Sequence, residues 1–137
     1  MAFYRGEQGS VKFDEAGSSA ATILSTRSWS MTVEKESMDT TALGDTYRGN
    51  IGGLISGSGT VEVLYTATSG DETNSFIEDV NRATDEGNAD FELYLFSTTK
   101  KITFNGVITS AEYTATVGEI DVITISFVTN GTITLDV

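Results

Sequence analysis

The chain has 137 residues, of which 8 are lysine or arginine and 20 are aspartate or glutamate, giving a net charge of −12. That length can bury a core as one domain, taken here as residues 1–137, while the acidic surplus argues against a surface that grips nucleic acid, since such binding neutralises phosphates. With no histidine and no cysteine, disulfides, zinc sites, the serine triad and thiol or imidazole catalysis are excluded as well.

Proline is absent too, and 14 glycines supply the backbone punctuation. Such usage suits uninterrupted strands, because proline would remove ladder hydrogen bonds. Residues 1–13 offer two apolar touches, Phe3–Tyr4 and Val11–Phe13, about a Gly6–Gly9 turn, and read as an amino-terminal arm or a marginal hairpin. The opening MAFYRGEQGS lacks the apolar core of a signal peptide, and no window approaches the ~18 consecutive apolar residues of a membrane span. Residues 20–25, AATILS, predict a first core strand.

From Trp29 the chain alternates apolar and polar residues, with Trp29, Met31 and Val33 against Ser30, Thr32 and Glu34. Val61 and Val63 repeat the pattern against Thr60 and Glu62, so two strands with one apolar face each are predicted. Between them, residues 37–58 read as a long glycine-bearing connection, beyond the ~12 to 15 residues at which an unstructured loop in a compact domain calls for a function. Leu43, Tyr47, Ile51, Leu54 and Ile55 lie inside it, together with the basic Arg48. Apolar groups in such a connection are best buried against another protein chain, the alternative being a loop folded back over its own core.

After Tyr65 the period changes. Ser69 or Asp71 can cap a helix whose stripe is Phe76, Ile77, Val80 and Ala83, with Gly87 as its stop. Asp71, Glu72, Glu78, Asp79, Asp85 and Glu86 are placed on its outer side, a solvated acidic face more than a metal site. From Ala89 the chain reads as strands to its end: Phe91, Leu93 and Leu95 alternate with Glu92 and Tyr94, and STTKK at 97–101 turns the chain into ITFNGVIT. Gly106 marks a bulge or a close backbone approach. A hairpin about residues 117–119 leads to Ile123, Ile125 and Phe127, and Asn130–Gly131 is a hairpin turn signal that outweighs the glycosylation acceptor it also spells.

The strand opening at Trp29, the run ESMDTTALGD, Arg48, the return GGLISGSGTVEVLY and the closing EYTATVGEIDVITISFVTNGTI together resemble the tail tube proteins of long-tailed bacteriophages. That resemblance implies a mainly β fold, a β-sandwich or partly closed barrel with one peripheral α-helix and a long strand-to-strand loop. It also implies a structural subunit that stacks as hexameric rings around a DNA-conducting channel in the virion tail, after assembly in the host cytoplasm. Its partners would be further copies of itself, with tail tip, tape-measure and terminator proteins, and DNA in transit without specific binding. No cofactor, metal, membrane or enzymatic activity is implied.

On this reading Leu43, Tyr47, Arg48, Ile51, Leu54 and Ile55 form a subunit interface. Thr32, Glu34, Glu36, Thr60, Glu62, Glu112, Thr114 and Thr116, all acidic or hydroxylated, face the channel, with Lys35 turned to the other side of its strand. Like charge would keep the phosphate backbone off the wall. Two readings of other classes compete. A carbohydrate-binding or adhesive β-sandwich would need Trp29 or Tyr94 exposed as a flat platform. A glycan-cleaving enzyme would need two carboxylates flanking a cleft, and nothing marks one pair out. GGLISGSG lacks the following lysine and helix of a phosphate cradle, and residues 71–79 lack the ligand spacing of a calcium loop.

Overall fold

The computed structural model describes residues 9–14, 21–23, 26–65, 71–82, 87–96 and 99–137. Its strands are β1 (Ser10–Asp14), β2 (Ala21–Thr22), β3 (Thr26–Asp39), β4 (Asn50–Leu64), β5 (Ala89–Phe96), β6 (Lys100–Thr114) and β7 (Val122–Asp136). A helix, α1 (Asp71–Glu78), tightens into a 3-10 turn over Asp79–Asn81. The strands form one seven-stranded sheet in the order β2-β1-β5-β6-β7-β4-β3, antiparallel throughout.

Chain connectivity forces this sheet to roll up. β2 and β3 are its two ends, which in a flat sheet would stand about 29 Å apart at ~4.8 Å per strand spacing. Yet only Ile23 to Ser25 separate them in sequence, a stretch that spans about 14 Å at most. The ends therefore meet without pairing, and the Thr26 hydroxyl donates to the Ile23 carbonyl across the seam, 3.1 Å away. Helix α1 lies against β1 and β2 while the turn after it lies against β6, so the helical segment covers one mouth of the roll. Of the two forms that the resemblance implies, a β-sandwich or a partly closed barrel with one peripheral helix, this is the mainly β, partly closed one.

The period-two positions fill the interior. Val61, Val63, Phe91, Leu93, Ile123, Ile125 and Phe127 are buried, joined by Phe76 from α1. Phe91 sits at the centre of an aromatic cluster, its ring centroid 5.1 Å from Phe13, 5.0 Å from Phe104 and 5.3 Å from Phe127. At Gly59 a Cβ would strike the Ser30 carbonyl oxygen and come within 2.8 Å of the Phe127 ring. Gly59→Ala is therefore expected to cost about 3 kcal/mol through forced backbone movement, read as a lower urea midpoint at unchanged slope; a loss under ~1 kcal/mol would mean that β3 and β4 separate freely.

Several expectations are corrected. Of residues 1–13, β1 is a core strand and no arm, with Val11 and Phe13 fully buried between β2 and β5; residues 1–8 lie outside the described ones. The first core strand contracts to β2 and the buried Ile23, residues 20, 24 and 25 being outside the description. Residues 37–58 are mostly strand: β3 runs to Asp39 and β4 starts at Asn50, leaving 40–49 as the connection.

A register break between Tyr94 and Phe96 leaves Leu95 exposed, while Tyr94 stays on the face of Glu92, where Lys12 and Lys101 cover its ring with their ammonium groups 5.2 and 5.6 Å from the centroid. Asp79, expected outside, is buried with its carboxylate 3.2 Å from Arg82 Nε, because the tighter turn after Glu78 rotates it inward. Ala83, Asp85 and Glu86 lie outside the described residues. Asn130–Gly131 is no hairpin turn either. Gly131 has φ +92° inside the continuous β7, where residues between Thr129 and Ile133 bulge out of the pairing with β6. The break at Gly106 is as expected, since a Cβ there would come within 2.6 Å of the Val128 carbonyl oxygen.

Candidate assembly surfaces

Strand β4 is held on both sides only from Ser58 to Leu64, where it pairs with β7 as well as β3. From Gly57 back to Asn50 its sole strand partner is β3. Residues 34–56 thus form a two-stranded arm projecting from the sheet, and both its faces are solvent-exposed apart from the half-buried Gly49 and Gly53. An extra β4 residue opposite Glu36 breaks its register between Lys35 and Ser37. Beyond that bulge Met38, Ile51 and Leu54 gather on one face, whereas Ile55 lies with Lys35 on the other.

The connection at the tip is built from its own hydrogen bonds. Thr41 N donates to Asp39 Oδ1 at 2.8 Å, Ala42 N to Asp45 Oδ2 at 2.7 Å, Gly49 N to the Thr41 hydroxyl at 2.8 Å, and Thr40 N to the Gly49 carbonyl at 2.8 Å. The bonds from Thr41 hold the Asp39 carboxyl below its ordinary range. Since its pKa is lowered on folding, this bracing holds above the ordinary aspartate range and is lost as pH falls through the lowered value. The run ESMDTTALGD thus encodes a braced turn that displays apolar groups: Leu43 is wholly exposed, Tyr47 86% and Leu54 80%. Arg48 forms no ion pair among the described residues.

The outer face of β3, β4, β7 and β6 is a different surface. Registers align Glu112, Thr124, Glu62 and Ser28 in one row across the strands, and Ser110, Ser126, Thr60 and Ser30 in the next. Ser30 and Thr60 hydroxyls bond at 3.1 Å. Thr32 and Thr114 lie in flanking rows beside Val128 and Val122. Of the eight residues expected to share a face, Thr32, Thr60, Glu62, Glu112 and Thr114 are brought together on it. Glu34 and Glu36 continue the same face onto the arm. Thr116 departs: it sits in the 115–121 turn, its carbonyl accepting from Glu119 N. Arg27, bulged out of β3, stands 3.4 Å from Glu62 and offsets its charge, which the sequence reading missed.

Trp29 is half-buried against the core and Tyr94 is buried, so neither lies exposed as the flat platform that a sugar-binding reading needs. Among the described residues no group of three carboxylates could hold a metal ion, and no helix is long and apolar enough to cross a membrane. A further hollow of about 270 Å³ at the opposite end of the sheet from the arm, lined by Tyr65, Ile77, Tyr113 and Val122, was not foreseen. Its walls come from segments far apart in sequence.

No protein-family model matches the chain, and no curated protein does. Solved structures do. A protein in the tail of an empty gene transfer agent particle, refined with C6 symmetry, superposes with a TM-score of 0.79 at 17% identity, over 98% of this chain and 100% of that one. The chain has the tail tube fold. A subunit of the SPP1 tail tube superposes at 0.71 with 18% identity, over 93% of this chain and 76% of its own. The sheath/tube terminator of an extracellular contractile injection system gives 0.70 at 14% identity, over 100% and 99% of the two chains. The tail tube fold here consists of the rolled sheet, the helix over its mouth and the projecting β3–β4 arm.

Proposed function

We propose that the protein is a structural subunit of a phage-type virion tail, self-assembling into stacked rings of six copies that form a DNA-conducting tube. The likeness to tail components over nearly the whole of both chains carries this reading. The arm supports it, because a two-stranded ribbon with apolar residues exposed on both faces is marginal alone and gains stability when neighbouring copies cover it. Leu43, Tyr47, Arg48, Ile51, Leu54 and Ile55 are assigned to that subunit contact. Baseplate, cap and terminator assemblies among the structural neighbours favour tail tip and terminator proteins as partners at the tube ends, with a tape-measure protein within.

Thr32, Glu34, Glu36, Thr60, Glu62, Glu112 and Thr114 are assigned to the channel wall, with Thr116 at its edge. Because Arg27 offsets Glu62, the repulsion of phosphate rests on Glu34, Glu36 and Glu112, repeated around the bore. Concentrated protein imaged in negative stain is expected to show rings or tubes, and featureless particles would reject the reading. Tubes of Glu34→Lys/Glu112→Lys are expected to keep their shape but retain duplex DNA at ~50 mM salt and release it as salt rises, while the parent tubes retain none. Equal DNA retention by both would remove these residues from the channel wall.

A further inference from the structure

The arm tip and the hollow at Tyr65 lie at opposite ends of the same strands. β4 leaves the tip at Asn50 and ends at Leu64, paired with Val122, and Tyr65 N then donates to the Asp121 carbonyl at 2.9 Å. Resting on the tube reading, we propose that the 40–49 turn of one copy seats in this hollow of the next copy, with Leu43 and Tyr47 inside and Arg48 against Asp121. The turn's own chain cannot be the occupant, because β4 alone holds the two places roughly 45 Å apart at ~3.3 Å per residue.

The chemistry of the two surfaces matches. The hollow is apolar, walled by Tyr65, Ile77, Tyr113 and Val122, and Asp121 is the charged residue at its lip. The tip offers two large apolar side chains. Its carboxylates at Asp39 and Asp45 accept from backbone amides of the turn, and the Arg48 guanidinium is its one basic group. Asp121 likewise has no ion pair among the described residues. Two unlike patches at opposite ends of one body repeat head to tail without closing. Copies joined this way grow along the strand direction, and the tip-to-hollow span sets their repeat.

The absence of cysteine makes the contact directly testable. A Leu43→Cys/Ala115→Cys chain, Ala115 being another residue of the hollow's wall, oxidised after assembly, is expected to give a ladder of dimers, trimers and longer species on a non-reducing gel, and neither single variant should pass beyond dimer. Tubes that form without a ladder, or a monomer locked by an internal disulfide, would overturn the docking while leaving the tube reading standing. Parent protein that forms neither rings nor tubes would instead sink the tube reading itself. As a second arm, Arg48→Asp and Asp121→Arg should each raise the protein concentration needed for assembly by about tenfold, and the double exchange should restore it. If it does not, the charge pairing is wrong.

Discussion

Phe91→Ala is expected to destabilise the protein by about 4 kcal/mol, the middle of the range for removing a buried phenylalanine. The ring is fully buried and touches Phe13 of β1, Phe76 of α1, Phe104 of β6 and Phe127 of β7. Strands from both halves of the roll and the helix over its mouth therefore share one contact point. Neighbours held by separate strands collapse poorly into the space left behind, which keeps the loss from falling to the lower end of that range. Against a total stability on the order of 5–15 kcal/mol such a loss is severe, and Tm should fall by roughly 15 °C. Urea unfolding checks it through the midpoint at constant slope. A loss below ~2 kcal/mol would show that the cluster relaxes around the vacancy.

Replacing residues 36–54 with Asn-Gly is expected to leave a folded monomer that assembles no tubes. Lys35 and Ile55 are directly paired, so a two-residue turn can close the shortened hairpin. The excised segment makes no strand pairing outside the arm, and its loss should change the unfolding free energy by less than ~1 kcal/mol. Sedimentation and negative-stain imaging decide the outcome. Tubes built from the shortened chain would remove the arm from assembly, and an unfolded product would show that the arm braces the sheet.

Much of the fold is legible in the sequence, for the reason that burial on one face writes a period of two. Val61, Val63, Phe91, Leu93, Ile123, Ile125 and Phe127 all announce their direction in this way. The arm hides itself because β4 carries Gly52, Gly53, Gly57 and Gly59, which read as loop chemistry. Gly57 and Gly59 instead admit Met31 and the Phe127 ring at close range. Leu95 and Asp79 defeat simple periodicity through a register break and a tightened helical turn.

Of the candidate surfaces, the exposed apolar residues at 43–55 are visible as a cluster in sequence. Their division between two faces is not, because the bulge opposite Glu36 has no local signature. The hydroxyl rows follow from alternation once registers are known. The hollow has no sequence signal at all, its walls being gathered from β4, α1, β6 and β7 by the rolled sheet alone.

The lack of β7 support beyond Ser58 has a kinetic side. A two-stranded ribbon by itself is only marginally stable, and a single encounter between two free subunits covers too little of its exposed apolar surface to hold. Growth should therefore begin only where several contacts form together, with a lag that shortens when preformed ends are added as seeds. On the proposed tube reading, a free subunit then stays dispersed at concentrations that would extend an existing tube, and where tubes start is decided by whatever presents the first complete ring.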